Sequence, residues 1–188
     1  MKKNKGFSLV ELILVLSIIA GITIAAFIIY IKVQDSNYIN KESRNIQTIR
    51  AGIKSLYINP SPPESDTIQN SMIEANLIPT VMLNKNNSLV SAWGSYVYTG
   101  ISSDGNGKLV FAIRYTNVNQ KICTGLISNN EKLFPIINVS NSNNLTGMTS
   151  GGTIIKSKDI NLDLKNIVNM CAIPIQTGSK GVDIVFKF

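Results

Sequence analysis

An apolar stretch near the start of the chain, from Phe7 to Ile31, constrains the fold more than any other feature. It contains one charged residue, Glu11, and the part from Leu12 to Ile31 supplies 20 uncharged residues. As a helix rising about 1.5 Å per residue, this part spans about 30 Å, the thickness of the hydrocarbon core of a bilayer. The stretch can therefore cross a membrane, and the rest of the 188 residues has room for one globular domain.

Three lysines lie among the first five residues, ahead of the apolar stretch. The positive-inside rule keeps such residues in the cytoplasm, so we predict the bulk of the chain on the far side of the membrane. An ordinary secretory signal has a similar basic start, but it is cut after its apolar stretch at small residues, for which Gly21 to Ala26 is a loose candidate. The position of Gly6 directly before Phe7, with Glu11 closely following, argues against such a cut.

The residues from Lys5 to Leu12, KGFSLVEL, resemble the leader junction of type IV prepilins and related pseudopilins. The resemblance implies that a membrane-embedded aspartyl prepilin peptidase cuts between Gly6 and Phe7 and methylates the new amine of Phe7. Glycine suits this position because it lets the backbone approach the peptidase closely and leaves the junction extended. The specific resemblance covers the leader and the apolar stretch, and beyond them the similarity is architectural.

Glu11 needs a physical explanation, because a carboxylate within an apolar helix costs roughly 2.5 to 3.5 kcal/mol on insertion scales. In the pilin family the matching glutamate pairs with the N-terminal amine of a neighbouring subunit. The resemblance therefore implies that Glu11 sets the register of a fibre, since only one axial offset neutralises both buried charges. The alternative is a plain membrane anchor whose glutamate lies near the headgroups.

Helical periodicity continues beyond the apolar stretch. Apolar residues recur at helical spacing at Ile46, Ile49, Ile53, Leu56 and Tyr57. The charged residues of this segment are predicted to lie outside that apolar stripe: Glu42, Arg44, Arg50 and Lys54. We predict one long helix over residues 8–58, apolar all round in its first half and amphipathic in its second, with two helices broken near residues 35–37 as the alternative. Prolines at 60, 62 and 63 end the helix.

Shorter elements follow. A second helix is predicted before Pro79, with Ser71 and Glu74 spaced as a capping box. Two strand-like runs, 95–101 and 108–115, flank an Asp-Gly-Asn-Gly segment and predict a β-hairpin. That segment also resembles part of a calcium loop, but the remaining acidic ligands are missing, so we interpret it as a turn.

The chain after the predicted hairpin contains three strand candidates, two helix candidates and one polar segment. The strands are 133–139, 153–156 and 182–188, and the helices are 118–127 and 159–170. Residues 140–152 are almost all Asn, Ser, Thr and Gly, which predicts an exposed loop.

Two cysteines, Cys123 and Cys171, stand 48 positions apart. In an exported domain the simplest interpretation is one disulfide, worth roughly 3 to 4 kcal/mol in the chain-entropy model, with two buried thiols as the alternative. In pilins the matching C-terminal disulfide bounds a variable surface region. The predicted fold class is α+β: a long N-terminal helix packed on a small antiparallel β-sheet domain with a C-terminal disulfide, which is the pilin fold.

Composition limits the function. No histidine is present, so the commonest general base and metal ligand are both missing, and no phosphate loop is seen. We therefore predict no enzyme, no bound metal and no cofactor. The formal net charge of +7 becomes 7 − 3 = +4 without the three leader lysines. This excess permits weak contact with nucleic acid, but no basic cluster with interleaved aromatics supports it.

The resemblance implies a leader at 1–6, an apolar helix half at 7–33 and a globular pilin domain at 34–188. The chain would wait in the inner membrane with its C-terminal domain in the periplasm. An assembly ATPase and a platform protein would then draw it into a homopolymeric extracellular pilus. The alternatives are a minor tip pilin that binds DNA or a surface and a pseudopilin of type II secretion. The large disulfide loop is more like type IVb pilins and the short leader more like type IVa, so the subclass stays open.

Overall fold

The computed structural model describes residues 9–57, 68–141, 153–156, 162–172 and 181–188. The chain divides into two units, Met1–Asn37 and Tyr38–Phe188. The helices are α1 Leu9–Leu56, α2 Ile68–Glu74, α3 Gln120–Asn130 and α4 Leu164–Cys171, with a short 3₁₀ turn at Thr80–Met82. The strands are β1 Val97–Ser103, β2 Leu109–Val118, β3 Ile136–Asn141, β4 Thr153–Lys156 and β5 Val182–Lys187.

Helix α1 is a single helix of 48 residues. The prediction of one long helix is confirmed, and the alternative of a break near 35–37 is wrong. Its N-terminal part, within the described residues, is long and apolar enough to cross a membrane. The helix ends at Leu56, and the prolines that were expected to end it lie outside the described residues.

The second unit contains a five-stranded antiparallel sheet in the order β1-β2-β5-β3-β4. Strand β5 therefore lies in the centre of the sheet, between β2 and β3. All six of its residues are buried, including the polar Asp183 and Lys187. Apolar and polar residues alternate only in part along this strand, and both of its faces are covered.

The predicted hairpin is confirmed as β1 and β2, with Val97 opposite Tyr115 and Ser103 opposite Leu109. Its turn is held by Asp104, whose Oδ1 accepts hydrogen bonds from the backbone amides of Asn106 at 2.8 Å and Lys108 at 3.1 Å. Gly105 and Gly107 within the turn have positive φ angles of 99° and 86°. Turn chemistry thus accounts for the Asp-Gly-Asn-Gly segment.

Several predicted boundaries need correction. Ser71 lies inside α2, which is already helical at Ile68, so the predicted capping box is wrong. Helix α3 begins after Asn119 and α4 after Asp163, because these side chains cap the two helices. Strand β3 begins at Ile136, after a turn at 131–133, and of the predicted loop 140–152 the residues from 142 onwards lie outside the described residues.

One cluster of buried apolar side chains joins the second half of α1 to α2, α3, α4 and the sheet. From α1 it includes Ile46, Ile49 and Ile53, which have no exposed surface. Directly after the end of α1, the ring of Tyr57 lies 5.2 Å from that of Phe111 on β2. The amphipathic second half predicted for this helix is therefore the part that packs on the domain.

Candidate functional site

The predicted processing junction, Gly6 and Phe7, lies outside the described residues. The described chain begins at Leu9, the first residue of α1. The cut between Gly6 and Phe7 therefore stays a prediction.

Glu11 is exposed and lies in the first turn of α1. No other charged residue occurs between Leu9 and Ile31. Any positively charged partner of Glu11 therefore comes from outside this stretch.

The first unit presents a continuous apolar surface. Every side chain from Leu9 to Val33 is exposed, and most of them are large and apolar. The hydroxyls of Ser17 and Thr23 donate to backbone carbonyls of their own helix, each at 2.8 Å. These two polar groups are satisfied locally, so they do not oppose insertion into lipid or packing against other apolar helices.

The predicted disulfide between Cys123 and Cys171 is present, and the alternative of two free thiols is wrong. It connects α3 with α4 across a Cα–Cα distance of 5.8 Å. Both cysteines are buried. The capping residues Asn119 and Asp163 fix where these helices begin, and thereby help to place both cysteines.

Glu42 is a functional candidate whose environment the sequence interpretation missed. The sequence pattern predicts Glu42 outside the apolar face of the helix. In the structure it is fully buried and lies on the same face of α1 as Ile46 and Ile49. Its Oε1 accepts a hydrogen bond from the amide of Ala92 at 2.7 Å, and its Oε2 accepts one from the hydroxyl of Tyr115 at 2.9 Å. The spacing of 42, 46, 49 and 53 would have revealed the position, since these residues share one helix face.

Burial is the main influence on these two titratable groups. It raises the pKa of Glu42, and the opposing effects of the hydrogen bonds from Ala92 and Tyr115, of the neighbouring Asn45 side chain and of the Lys41 charge do not cancel it. Burial also raises the pKa of Tyr115, and the neighbouring Glu42 carboxylate raises it further. The pair therefore takes up protons more readily than the same groups in water.

A buried salt bridge lies in the sheet, and the sequence did not indicate it either. Asp183 on β5 forms a salt bridge with Arg114 on β2, and neither side chain is more than a few per cent exposed. Near the end of the same strand, burial lowers the pKa of Lys187, against the opposing charge of Asp104. The Lys187 ammonium donates to the carbonyl of Ser103 at 2.7 Å.

Two family models match the chain. The model described as PilS N terminal matches residues 36–178, which is well over half of the chain. The model described as prokaryotic N-terminal methylation motif matches residues 1–27. By sequence, no curated protein matches.

The solved structures that share the fold include two pilins. TcpA, a type IV pilin from Vibrio cholerae El Tor biotype, is 18% identical with a TM-score of 0.53, over 81% of this chain and 99% of that one. A type IVb pilin from Salmonella typhi is 14% identical with a TM-score of 0.57, over 79% of this chain and 98% of that one. At these identities the likeness shows the fold.

Proposed function

The chain belongs to the PilS N-terminal family and is a structural subunit of a type IV pilus, and we propose that it is stored in the inner membrane and polymerises after residues 1–6 are removed. The observation that carries this proposal is the first half of α1, where every side chain from Leu9 to Val33 is exposed. So large an apolar surface is unfavourable in water. Lipid would cover it before assembly, and the helices of neighbouring subunits would cover it in the fibre.

Cleavage between Gly6 and Phe7 by a prepilin peptidase, with methylation of Phe7, is the processing step of this proposal. The match of residues 1–27 to the methylation motif supports it. The leader lysines would hold the start of the chain in the cytoplasm, which leaves the domain from residue 34 onwards in the periplasm.

Glu11 is the assembly residue of the proposal. In the fibre its carboxylate would pair with the methylated amine of Phe7 from a neighbouring subunit. Its position in the first turn of α1 supports this role, because it lies within reach of the end at which a neighbour's amine would arrive. The pair would fix one axial offset, since any other offset leaves two charges buried among apolar helices.

Fibre growth requires contacts between different surfaces of identical subunits, because an open helical polymer cannot close on itself. Exposed apolar helices that meet their neighbours' helices supply such contacts. An assembly ATPase and a platform protein would extract the subunits from the membrane. Neither the tip-subunit nor the pseudopilin alternative is favoured by an observation on this chain.

The test is intact-mass and N-terminal sequence analysis of the chain from cells with and without prepilin peptidase, together with surface fibres sheared from both. We expect an N-methylated Phe7 terminus only where the peptidase is present, and abundant chain in those fibres. Gly6→Val should keep residues 1–6, because its side chain blocks the close approach at the cut. Gly21→Val is the matched control and should be processed normally. A terminus beyond Ala26, or Met1 retained in both strains, would contradict the proposal.

A further inference from the structure

The buried face of α1 in the second unit has a polar end and an apolar end. The apolar end consists of Ile46, Ile49 and Ile53. The polar end begins with Glu42, which is fully buried, and continues with Ser43, which is almost so. Apolar contacts tolerate small displacements of a helix, whereas a buried hydrogen bond is satisfied in one arrangement.

Three separate elements contact this polar end. The turn before β1 supplies the Ala92 amide to Glu42, and β2 supplies the hydroxyl of Tyr115. Helix α3 supplies the Nδ2 of Asn130, which donates to Ser43 Oγ at 3.1 Å. The position of α1 along and around its axis is therefore fixed here by polar contacts on several sides.

The groups that face the Glu42 carboxyl are mostly neutral. They are the Ala92 amide, the Tyr115 hydroxyl and the side chain of Asn45, while Lys41 on the same helix acts at longer range. Among the described residues no lysine or arginine lies within ion-pair distance of Glu42. An ionised Glu42 is thus buried with hydrogen bonds but no adjacent counter-charge, which is unfavourable in a low-dielectric interior.

We propose that Glu42 is a pH-sensitive latch that holds the second half of α1 most firmly on its domain when the carboxyl is protonated. The neutral acid keeps both contacts: its carbonyl oxygen accepts from the Ala92 amide, and its hydroxyl donates to the Tyr115 oxygen. Ionisation retains hydrogen bonds but leaves a buried negative charge. The latch follows from these contacts alone, and only its meaning for a fibre rests on the proposed function.

The direction of the pH dependence follows from proton linkage. The pKa of Glu42 is raised in the folded chain above its ordinary value of 4.5. The folded state therefore binds the proton more tightly than the unfolded state. The stabilisation is complete below that ordinary value and is lost as the pH rises through the raised pKa. Mildly acidic pH would therefore stabilise the packing of the second half of α1 on the rest of its domain.

The test is denaturant unfolding of the full chain in detergent, measured from a pH below the ordinary pKa of 4.5 to a pH above the raised pKa of Glu42. Trp93 is the single tryptophan, and its ring lies 5.7 Å from that of Tyr115, so its fluorescence reports on this region. We expect the unfolding equilibrium constant of the unaltered chain to rise with pH, by at most about tenfold per pH unit. Glu42→Gln should lack this component. Glu74→Gln, an exposed glutamate on α2, is the matched control and should follow the unaltered chain.

Tyr115→Phe provides a second, independent readout. It removes a hydroxyl whose hydrogen bond lowers the pKa of the Glu42 carboxyl, so the pH window should move upwards. Parallel pH profiles for the unaltered chain and Glu42→Gln would overturn the latch. A window that stays in place in Tyr115→Phe would overturn it as well. Both results are independent of whether the chain is cleaved after Gly6 or found in fibres.

Discussion

At the scale of single residues, Glu42 and Asp183 in the described part of the second unit are both buried, but in different ways. Glu42 accepts hydrogen bonds from neutral groups, whereas Asp183 faces the guanidinium of Arg114 and accepts from its Nε at 3.1 Å. The other oxygen of Asp183 accepts from the backbone amide of Asn117 at 3.2 Å. Asn117 has a positive φ of 51° and lies where the pairing of β2 with β5 is irregular. Asp183 thus both neutralises an arginine and satisfies a displaced backbone amide.

Asp183→Ala should destabilise the domain by about 3–5 kcal/mol, because it leaves the buried charge of Arg114 without its carboxylate. Arg114→Met should be destabilising for the converse reason. The double variant Arg114→Met/Asp183→Ala should be less destabilised than the sum of the two single changes, since neither charge of the pair then remains buried without its partner. Denaturant unfolding followed by Trp93 fluorescence measures all three. Additive losses in the double variant would show that the two side chains are not coupled.

The sequence indicates some of these residues better than others. The proposed processing and assembly residues Gly6, Phe7 and Glu11 are predicted by a local motif, whereas the Cys123–Cys171 disulfide was predicted from the presence of two cysteines and is confirmed. Asp183 shows only the alternation of a strand, and its burial depends on the central position of β5, which no local pattern reports. Glu42 was within reach of periodicity, but a carboxylate is ordinarily assigned to the solvent side of a helix.

At the scale of elements, α1 and α3 approach closely at Gly125. A Cβ atom at Gly125 would lie 3.0 Å from Cγ1 of Ile39 and 3.2 Å from its Cγ2, and closer still to its Cδ1. Gly52 on α1 has a similar setting, with Met72 Cε at 3.0 Å and Leu77 Cβ at 3.1 Å. Because glycine has no Cβ atom, Gly125 and Gly52 allow the second half of α1 to pack closely against its neighbours.

Gly125→Ala should destabilise the domain, because overpacking costs about 1–3 kcal/mol and exceeds the gain in helix propensity of about 1 kcal/mol. In an Ile39→Ala background the clash is relieved, so the same change should become stabilising. Thermal unfolding by near-ultraviolet circular dichroism compares the two backgrounds. Equal destabilisation in both would show that Ile39 does not limit the approach.

Periodicity and turn residues predicted α1, α3, the β1–β2 hairpin and β4, because each signal is local. Helix starts were less accurate. Helix α4 was predicted from residue 159, and the cap at Asp163 starts it later, while the apparent capping box at Ser71 falls within α2. The strand order was beyond local reasoning, since it places β5 between strands that lie far from it in sequence.

At the scale of the whole molecule, the two units of the chain have different surfaces. The first, as far as it is described, has no buried side chain up to Val33. The second has its own apolar cluster, a five-stranded sheet and the Cys123–Cys171 disulfide. That disulfide contributes about 4 kcal/mol in the chain-entropy model. The stability of the second unit therefore has its sources within that unit.

A shortened chain starting at residue 34 should consequently remain folded. We expect its unfolding midpoint to lie within about 2–4 °C of that of the full chain in detergent, which corresponds to about 1 kcal/mol for a domain of this size. The measurement is near-ultraviolet circular dichroism, which detects the environment of aromatic side chains. All of the aromatic residues except Phe7, Phe27 and Tyr30 belong to the second unit. A shortened chain without a cooperative transition would show that the apolar half of α1 supports the fold.

The central position of β5 affects how the domain is made. It is the last of the described strands to leave the ribosome, yet it pairs with both β2 and β3. Until it is synthesised, two inner strands have unpaired edges and the sheet is split into two parts. The domain therefore completes its fold only after translation of this strand. Under the proposed function, machinery that exports the chain as it is synthesised would therefore receive it before this sheet has closed.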